Sequence, residues 1–267
     1  MLRVAGILGI TFKENLRGQI LWTSAIAGLV LLMLVSILSG TALTHENRIL
    51  DVFSYFIADL LLLFVGIFSG AAICSSDFSA RGIAELYVPA GIKRHSILFA
   101  RVVAHATILI LLAASLYLFK SLVLPLLTDF PRPPDMRIHL VMFCYSVLKS
   151  ITALCLATFL GAMARPLYAV LGTLTLFSIG HLTSTLDSLL TSTTQQHAQD
   201  SIGLINSSFY STLKIWNPNL LVVESIKGEW LMPTPESLGA AILWATGFSL
   251  GSLGLALWRV NSIDIRG

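Results

Sequence analysis

Charge is scarce in this sequence. Only 12% of its 267 residues are Asp, Glu, Lys or Arg, against about 25% in a soluble domain. Cysteine is scarcer still. Cys74, Cys144 and Cys155 form no CxxC pair, so no disulfide framework or thiolate cage is expected, and all three read as small buried hydrophobes. No GxxxxGK[ST] run is present to cradle ATP phosphates, and HExxH and GxSxG are missing as well. The histidines are His45, His95, His105, His139, His181 and His197. None pairs at helical spacing, so a metal site built on one helix is not expected. Net charge is +3 with no basic cluster on a soluble face, which argues against a nucleic-acid partner. The longest polar stretch, 188–236, is too short for a catalytic domain. No activity, cofactor or metal of its own is therefore expected.

What is present is apolar length. Hydrophobic residues make up 55% of the chain and mean hydropathy is +0.83. Six long apolar stretches run at 18–42, 52–74, 97–119, 138–164, 167–187 and 237–257. Each is near the ~20 residues a helix needs to cross ~30 Å of hydrocarbon. Lipid offers no hydrogen-bond partner to the backbone, so each stretch must be a helix. The sequence thus predicts an all-α membrane protein with six transmembrane helices in a single domain. The first stretch is too long for a signal-peptide core, so it is expected to remain as the first span.

Residues 1–17 carry too many charges to span. On a helical wheel Val4, Ala5, Leu8, Phe12 and Leu16 share one face, opposite Arg3, Lys13, Glu14 and Arg17. This predicts an amphipathic interfacial helix whose basic residues suit anionic lipid headgroups. Charge also orients the chain. With the N-terminus inside, Arg3, Lys13, Arg17, Arg81, Lys93, Arg94, Arg101, Arg165, Arg259 and Arg266 are inner. Arg48, Lys120, Arg132, Arg137, Lys214 and Lys227 are outer. The bias predicts both termini in the cytoplasm. The segment 75–96 is then the longest inner loop, and Ala164-Arg165-Pro166 is a tight inner turn. The segment 188–236 is external, with helical periodicity and interfacial aromatics in its second half.

Four polar groups fall inside spans: Asp59, His105, Lys149 and His181. A charge near mid-bilayer costs at least ~2.5 kcal/mol, so such residues need a partner or a cavity. Arg101, near the inner edge, can snorkel. Lys149 is about eleven residues from the outer edge, or ~16 Å, and Asp59 about seven, or ~10 Å. A lysine can cover much of that difference, so an Asp59–Lys149 ion pair is expected between the second and fourth spans. Lys149 is then either a structural partner or a group lining a pathway, and the sequence leaves both open. His105 and His181 read as neutral residues hydrogen-bonded within the bundle.

The inner loop reads Arg81-Gly82, Glu85-Leu86, Pro89 and Lys93-Arg94, with Arg101 beyond it; Pro218-Asn219-Leu220 follows the fifth span, and a short tail carries Arg259 and Arg266. In these motifs and in layout the chain resembles the ABC-2 type exporter permeases. It departs from them in Ser75-Ser76-Asp77-Phe78, where the family has a Glu-rich start, and in Ile83, where the family commonly has Thr. The resemblance implies the membrane subunit of a bacterial ATP-driven exporter in the inner membrane. It implies a separate ABC ATPase that binds the ATP. A second permease copy or homologue would complete a dimer, lipid would surround it, and a periplasmic accessory protein is a further partner the family allows. Arg81, Gly82, Glu85, Leu86, Pro89, Lys93 and Arg94 would form the coupling helix that docks the ATPase. The alternative reading is a stand-alone membrane scaffold or a membrane-embedded enzyme.

Overall fold

The computed structural model describes residues 2–39, 46–77, 92–123, 136–192 and 233–262. Of these, 96% are helical, and no strand occurs among them. The helices are α1 (Leu2–Arg17), α2 (Gln19–Ser39), α3 (Glu46–Asp77), α4 (Arg94–Leu118), α5 (Met136–Met163), α6 (Pro166–Ser192) and α7 (Pro235–Ser262). A π-helical turn, Phe119–Val123, extends α4.

Local chemistry sets several of these ends. Pro166 and Pro235 open α6 and α7, where a missing N–H costs nothing. Thr234 caps α7, its Oγ accepting the Ser237 N–H at 3.3 Å. The turn between α5 and α6 is as tight as the sequence predicts, closed by bonds from Ala164 N–H to Leu160 C=O and from Tyr168 N–H to Arg165 C=O. Elsewhere the helices overrun the expected loops. Glu46, Arg48 and Asp51 belong to the first turns of α3 rather than to an outer loop, and Ser75–Asp77 and Arg94–Ser96 are helical rather than part of the inner loop. Lys93 and Arg94 sit at the positive end of α4, where the helix dipole opposes them and Lys93 makes no side-chain cap.

Four helices are long and apolar enough to cross a membrane: Phe53–Cys74, Arg94–Leu122, Arg137–Met163 and Pro235–Ser262. Ala5–Arg17 and Trp22–Val35, bent by 50° to one another, would count as a fifth if the pair is one span. Across the bend, Trp22 Nε1–H donates to Leu16 C=O at 2.8 Å. Pro166–His181 is a shorter apolar helix. Six separate spans are thus not shown among the described residues. These helices fit a multi-pass transmembrane protein.

The helices alternate in direction. Val35 of α2 packs with Phe119, just beyond α4, and with Ile57 near the start of α3. Gly28, two turns earlier on α2, lies against Leu61 and Leu116. So α2 and α4 run toward the end at which α3 begins. The helices α3 and α5 run parallel in a constant register. Tyr55 meets His139 and Cys74 meets Thr158, both 84 positions apart. In the same register, a Cβ added at Gly66 would lie 2.6 Å from Ser150 O, and one at Gly70 would lie 2.4 Å from Leu154 O. Gly66 and Gly70 form a GxxxG pair, whose missing side chains let two helix backbones touch. α7 also runs parallel to α5, held by Thr152, whose hydroxyl reaches Ala245 O at 3.3 Å and Ser249 Oγ at 3.1 Å.

The bundle is apolar both inside and on its surface, with small hydroxyl residues among its most buried positions. Ser54, Ser150, Thr152, Thr158 and Thr173 are fully buried, while Trp22, Phe56, Leu243, Leu250 and Trp258 are exposed. The buried hydroxyls of Ser150, Thr152, Thr158 and Thr173 donate to carbonyls one turn back. That arrangement satisfies them without water. Cys74 and Cys155 are buried, as expected, but Cys144 is exposed on the outer surface of α5.

Candidate functional site

The polar side chains within the bundle stand in three layers. In the middle layer Lys149 Nζ on α5 donates to Asp59 Oδ2 on α3 at 2.6 Å. The side chains are 7% and 23% exposed, so the pair is largely withdrawn from solvent. The depths counted along the two helices predict this pair, and the structure contains it. Lys149 Nζ also lies 5.4 Å from the Tyr145 ring centroid, within cation–π range. His181 on α6 lies within electrostatic reach of both partners. The second oxygen of Asp59, Oδ1, is buried with no hydrogen-bond donor among the described residues.

One turn toward the start of α3, a second layer holds Tyr55, His139 and Lys120. The Tyr55 hydroxyl is hydrogen-bonded to His139 Nδ1, and the two rings stack at 5.5 Å. Lys120 Nζ lies 4.1 Å above the Tyr55 ring. Phe143 packs against Tyr55 and Tyr117, each at 5.3 Å, and closes the cage. Lys120 and His139 are both buried. The sequence places Lys120 among the outer basic residues and finds no histidine partner for His139 at helical spacing; neither reading anticipates that both are buried against Tyr55. Lys120 lies in the π-helical turn, with its ammonium over the Tyr55 ring. Gly66 and Gly70 mark a close-packing face of α3 in the sequence, but the register that puts position 55 against position 139 comes from the packed helices.

A third layer joins the N-terminal helix to the bundle. Arg101 Nη1 on α4 donates to Glu14 Oε2 on α1 at 2.9 Å. The Arg101 side chain is only 10% exposed, so it pairs with α1 rather than snorkelling out. His105 stands one turn further along α4, its Nδ1–H donating to Arg101 C=O at 2.9 Å. Ile7 of α1 packs with Ile97 and Ala100 of α4. The docked face of α1 is therefore Ile7, Thr11 and Glu14, and the apolar face with Ala5, Leu8, Phe12 and Leu16 is left exposed or half-buried.

Of the expected coupling residues, Arg81, Gly82, Glu85, Leu86 and Pro89 lie outside the described residues. Lys93 is exposed and Arg94 half-buried at the start of α4. Of the intramembrane polar residues, the structure pairs Asp59 with Lys149, and His105 belongs to the layer with Arg101 and Glu14. Among the described residues no three His, Cys, Asp or Glu side chains converge as metal ligands would. No family model matches the sequence. No curated protein gives a significant match.

Proposed function

We propose that this protein is the membrane-spanning permease subunit of an ATP-driven exporter of the ABC-2 type. In this reading it has six spans, α2 and α6 joining the four helices long and apolar enough to cross a membrane. It works as a dimer with a second copy or a homologue in a bacterial inner membrane, and it carries no ATPase site of its own. The observation that supports it most is the Glu14–Arg101 ion pair. That pair fastens the amphipathic helix α1 to α4, the helix that begins at Arg94, directly after the segment bearing Arg81, Glu85 and Lys93. A soluble ATPase pressing on that loop would move α1 and α4 together, and so would transmit force to the bundle as one lever.

The distribution of charge agrees. Arg17, Lys93, Arg94, Arg165 and Arg259 all lie at the end of the bundle where α4 and α6 begin and α3, α5 and α7 finish. With that end cytoplasmic, the positive-inside rule is met. The middle layer of Asp59, Lys149 and His181 then lies part-way through the membrane, where charged groups mark either a structural lock or a conduction path.

The test is association. Glu85→Arg and Arg94→Glu are each expected to abolish co-purification of an ATPase subunit while the protein still inserts. Retention of the ATPase by both reversals overturns the coupling role. In a background lacking Cys144, cysteines placed at Ser207 and Ser225 are expected to react with an impermeant thiol reagent added outside. Labelling only after permeabilisation inverts the topology.

A further inference from the structure

The seam between α1 and α4 is held by one ion pair and weakened by two polar groups left unanswered. Ile7, Thr11, Glu14 and Asn15 stand on one side of α1, within roughly 100° of arc at 3.6 residues per turn. Ile7 packs on Ile97 and Ala100 of α4, and Glu14 Oε2 accepts from Arg101 Nη1 at 2.9 Å. Thr11 lies between them along the helix and is 1% exposed. Its hydroxyl and the Asn15 Nδ2 are buried with no hydrogen-bond partner among the described residues. Thr152, Thr158 and Thr173 satisfy their buried hydroxyls on the carbonyl one turn back; Thr11 does not. A hydroxyl or amide shut away unbonded has lost its water and gained nothing in exchange.

Opening the seam gives up little in return. At a membrane, acyl chains replace the contacts that Ile7 makes, because lipid is as apolar as the α4 surface. Glu14 is already 49% exposed, so its ion pair is partly screened. Arg101 lies near the inner edge and can snorkel once its partner leaves. Thr11 and Asn15 gain water. Gly18 joins α1 to α2 and lacks the Cβ that would meet Asn15 O at 3.1 Å, which leaves a joint about which α1 can turn. We infer that α1 is a releasable latch, turning about Gly18 between a state docked on α4 through Glu14 and Arg101 and a state lying free in the membrane interface, with Thr11 and Asn15 biasing it toward release. Docked, α1 and α4 move as one body; free, α1 is uncoupled from the bundle. The latch rests on the seam alone and does not require the exporter reading.

The full chain, in a background lacking Cys144, takes spin labels at Lys13→Cys and Phe99→Cys, exposed positions on α1 and α4. It is reconstituted in vesicles of phosphatidylethanolamine and phosphatidylglycerol. Double electron–electron resonance is expected to show two populations, a narrow one for docked α1 and a broad, longer one for free α1. Glu14→Gln is expected to make the free population the larger. In that background, Thr11→Val with Asn15→Leu puts apolar groups of similar size in place of the unbonded ones. The pair is expected to lower the ratio of free to docked by about tenfold. Each single change should lower it several-fold, so either suffices if the other does not fold. One docked distance in every variant, Glu14→Gln included, overturns the latch. A free population unchanged by Thr11→Val and Asn15→Leu overturns it too, because the two groups would not oppose docking. So does one that they enlarge, because the hydroxyl and amide would then hold α1 down through bridging water.

Discussion

Lys149 reaches back along its own helix to bond Asp59. Facing positions on α3 and α5 are 84 apart, but these two residues are 90 apart. The lysine is therefore six positions, ~9 Å, deeper than the point opposite Asp59. Helical side chains lean toward the N-terminus, which for Lys149 is the direction of Asp59. The side chain is extended along α5 to close the 2.6 Å bond. The same lean that makes helical neighbours meet here carries a charge from mid-bundle to its partner.

Removing either member strands the other in a low-dielectric interior. Asp59→Asn or Lys149→Met alone is expected to cost ~3–5 kcal/mol, whereas the double variant should recover much of the loss. Thermal unfolding in detergent across the four proteins measures the coupling. Strict additivity of the single changes would falsify a structural lock, and a loss of transport without a loss of stability would assign Lys149 to the pathway.

The contact between α3 and α5 leaves no room for a methyl group at Gly70, where an added Cβ would sit 2.4 Å from a backbone oxygen. Gly70→Ala is expected to destabilise by ~1–3 kcal/mol through forced separation of the helices. Gly251→Ala, on the open face of α7 with nothing within 4 Å, should be neutral or slightly stabilising. Equal melting temperatures for the two variants would contradict the close packing.

Tyr55→Phe keeps the ring under Lys120 but takes the hydroxyl from His139. The expected cost is ~1–3 kcal/mol, that of a buried polar group losing a partner. Combining it with His139→Phe should restore part of the loss, since the pair is then replaced by apolar rings. A double variant as unstable as the sum of the singles would show that the hydroxyl–imidazole bond contributes nothing specific.

On α1, Glu14 and Lys13 are neighbours of similar exposure, but only Glu14 faces Arg101. Glu14→Ala should release α1 from α4 and speed proteolytic cleavage near Gly18, while Lys13→Ala should not. Because Glu14 is 49% exposed, the effect on global stability should stay within ~1 kcal/mol. Equal cleavage of the two variants would mean that apolar contacts at Ile7 hold the helix by themselves.

The expected external segment 188–236 falls mainly outside the described residues; only its first positions, as the end of α6, and its last, as the start of α7, are placed. For the rest of the chain, apolar length alone determined the helices, because a backbone in hydrocarbon has no other way to satisfy its hydrogen bonds. Counting residues from the helix ends was enough to pair Asp59 with Lys149, since depth in a membrane is nearly a one-dimensional coordinate. Which face of each helix points inward was decided by the tertiary structure. Lipid and protein interior are equally apolar, so periodicity of hydrophobicity cannot mark the packed side, and small residues mark it instead. That is why the contact of Gly66 and Gly70 with α5, the inward turn of Lys120, the Tyr55–His139 bond and the outward position of Cys144 emerged only once the helices were packed. Arg101 makes the same point from the charged side. Its depth allowed it to snorkel, and only the docking of α1 brought it the carboxylate of Glu14.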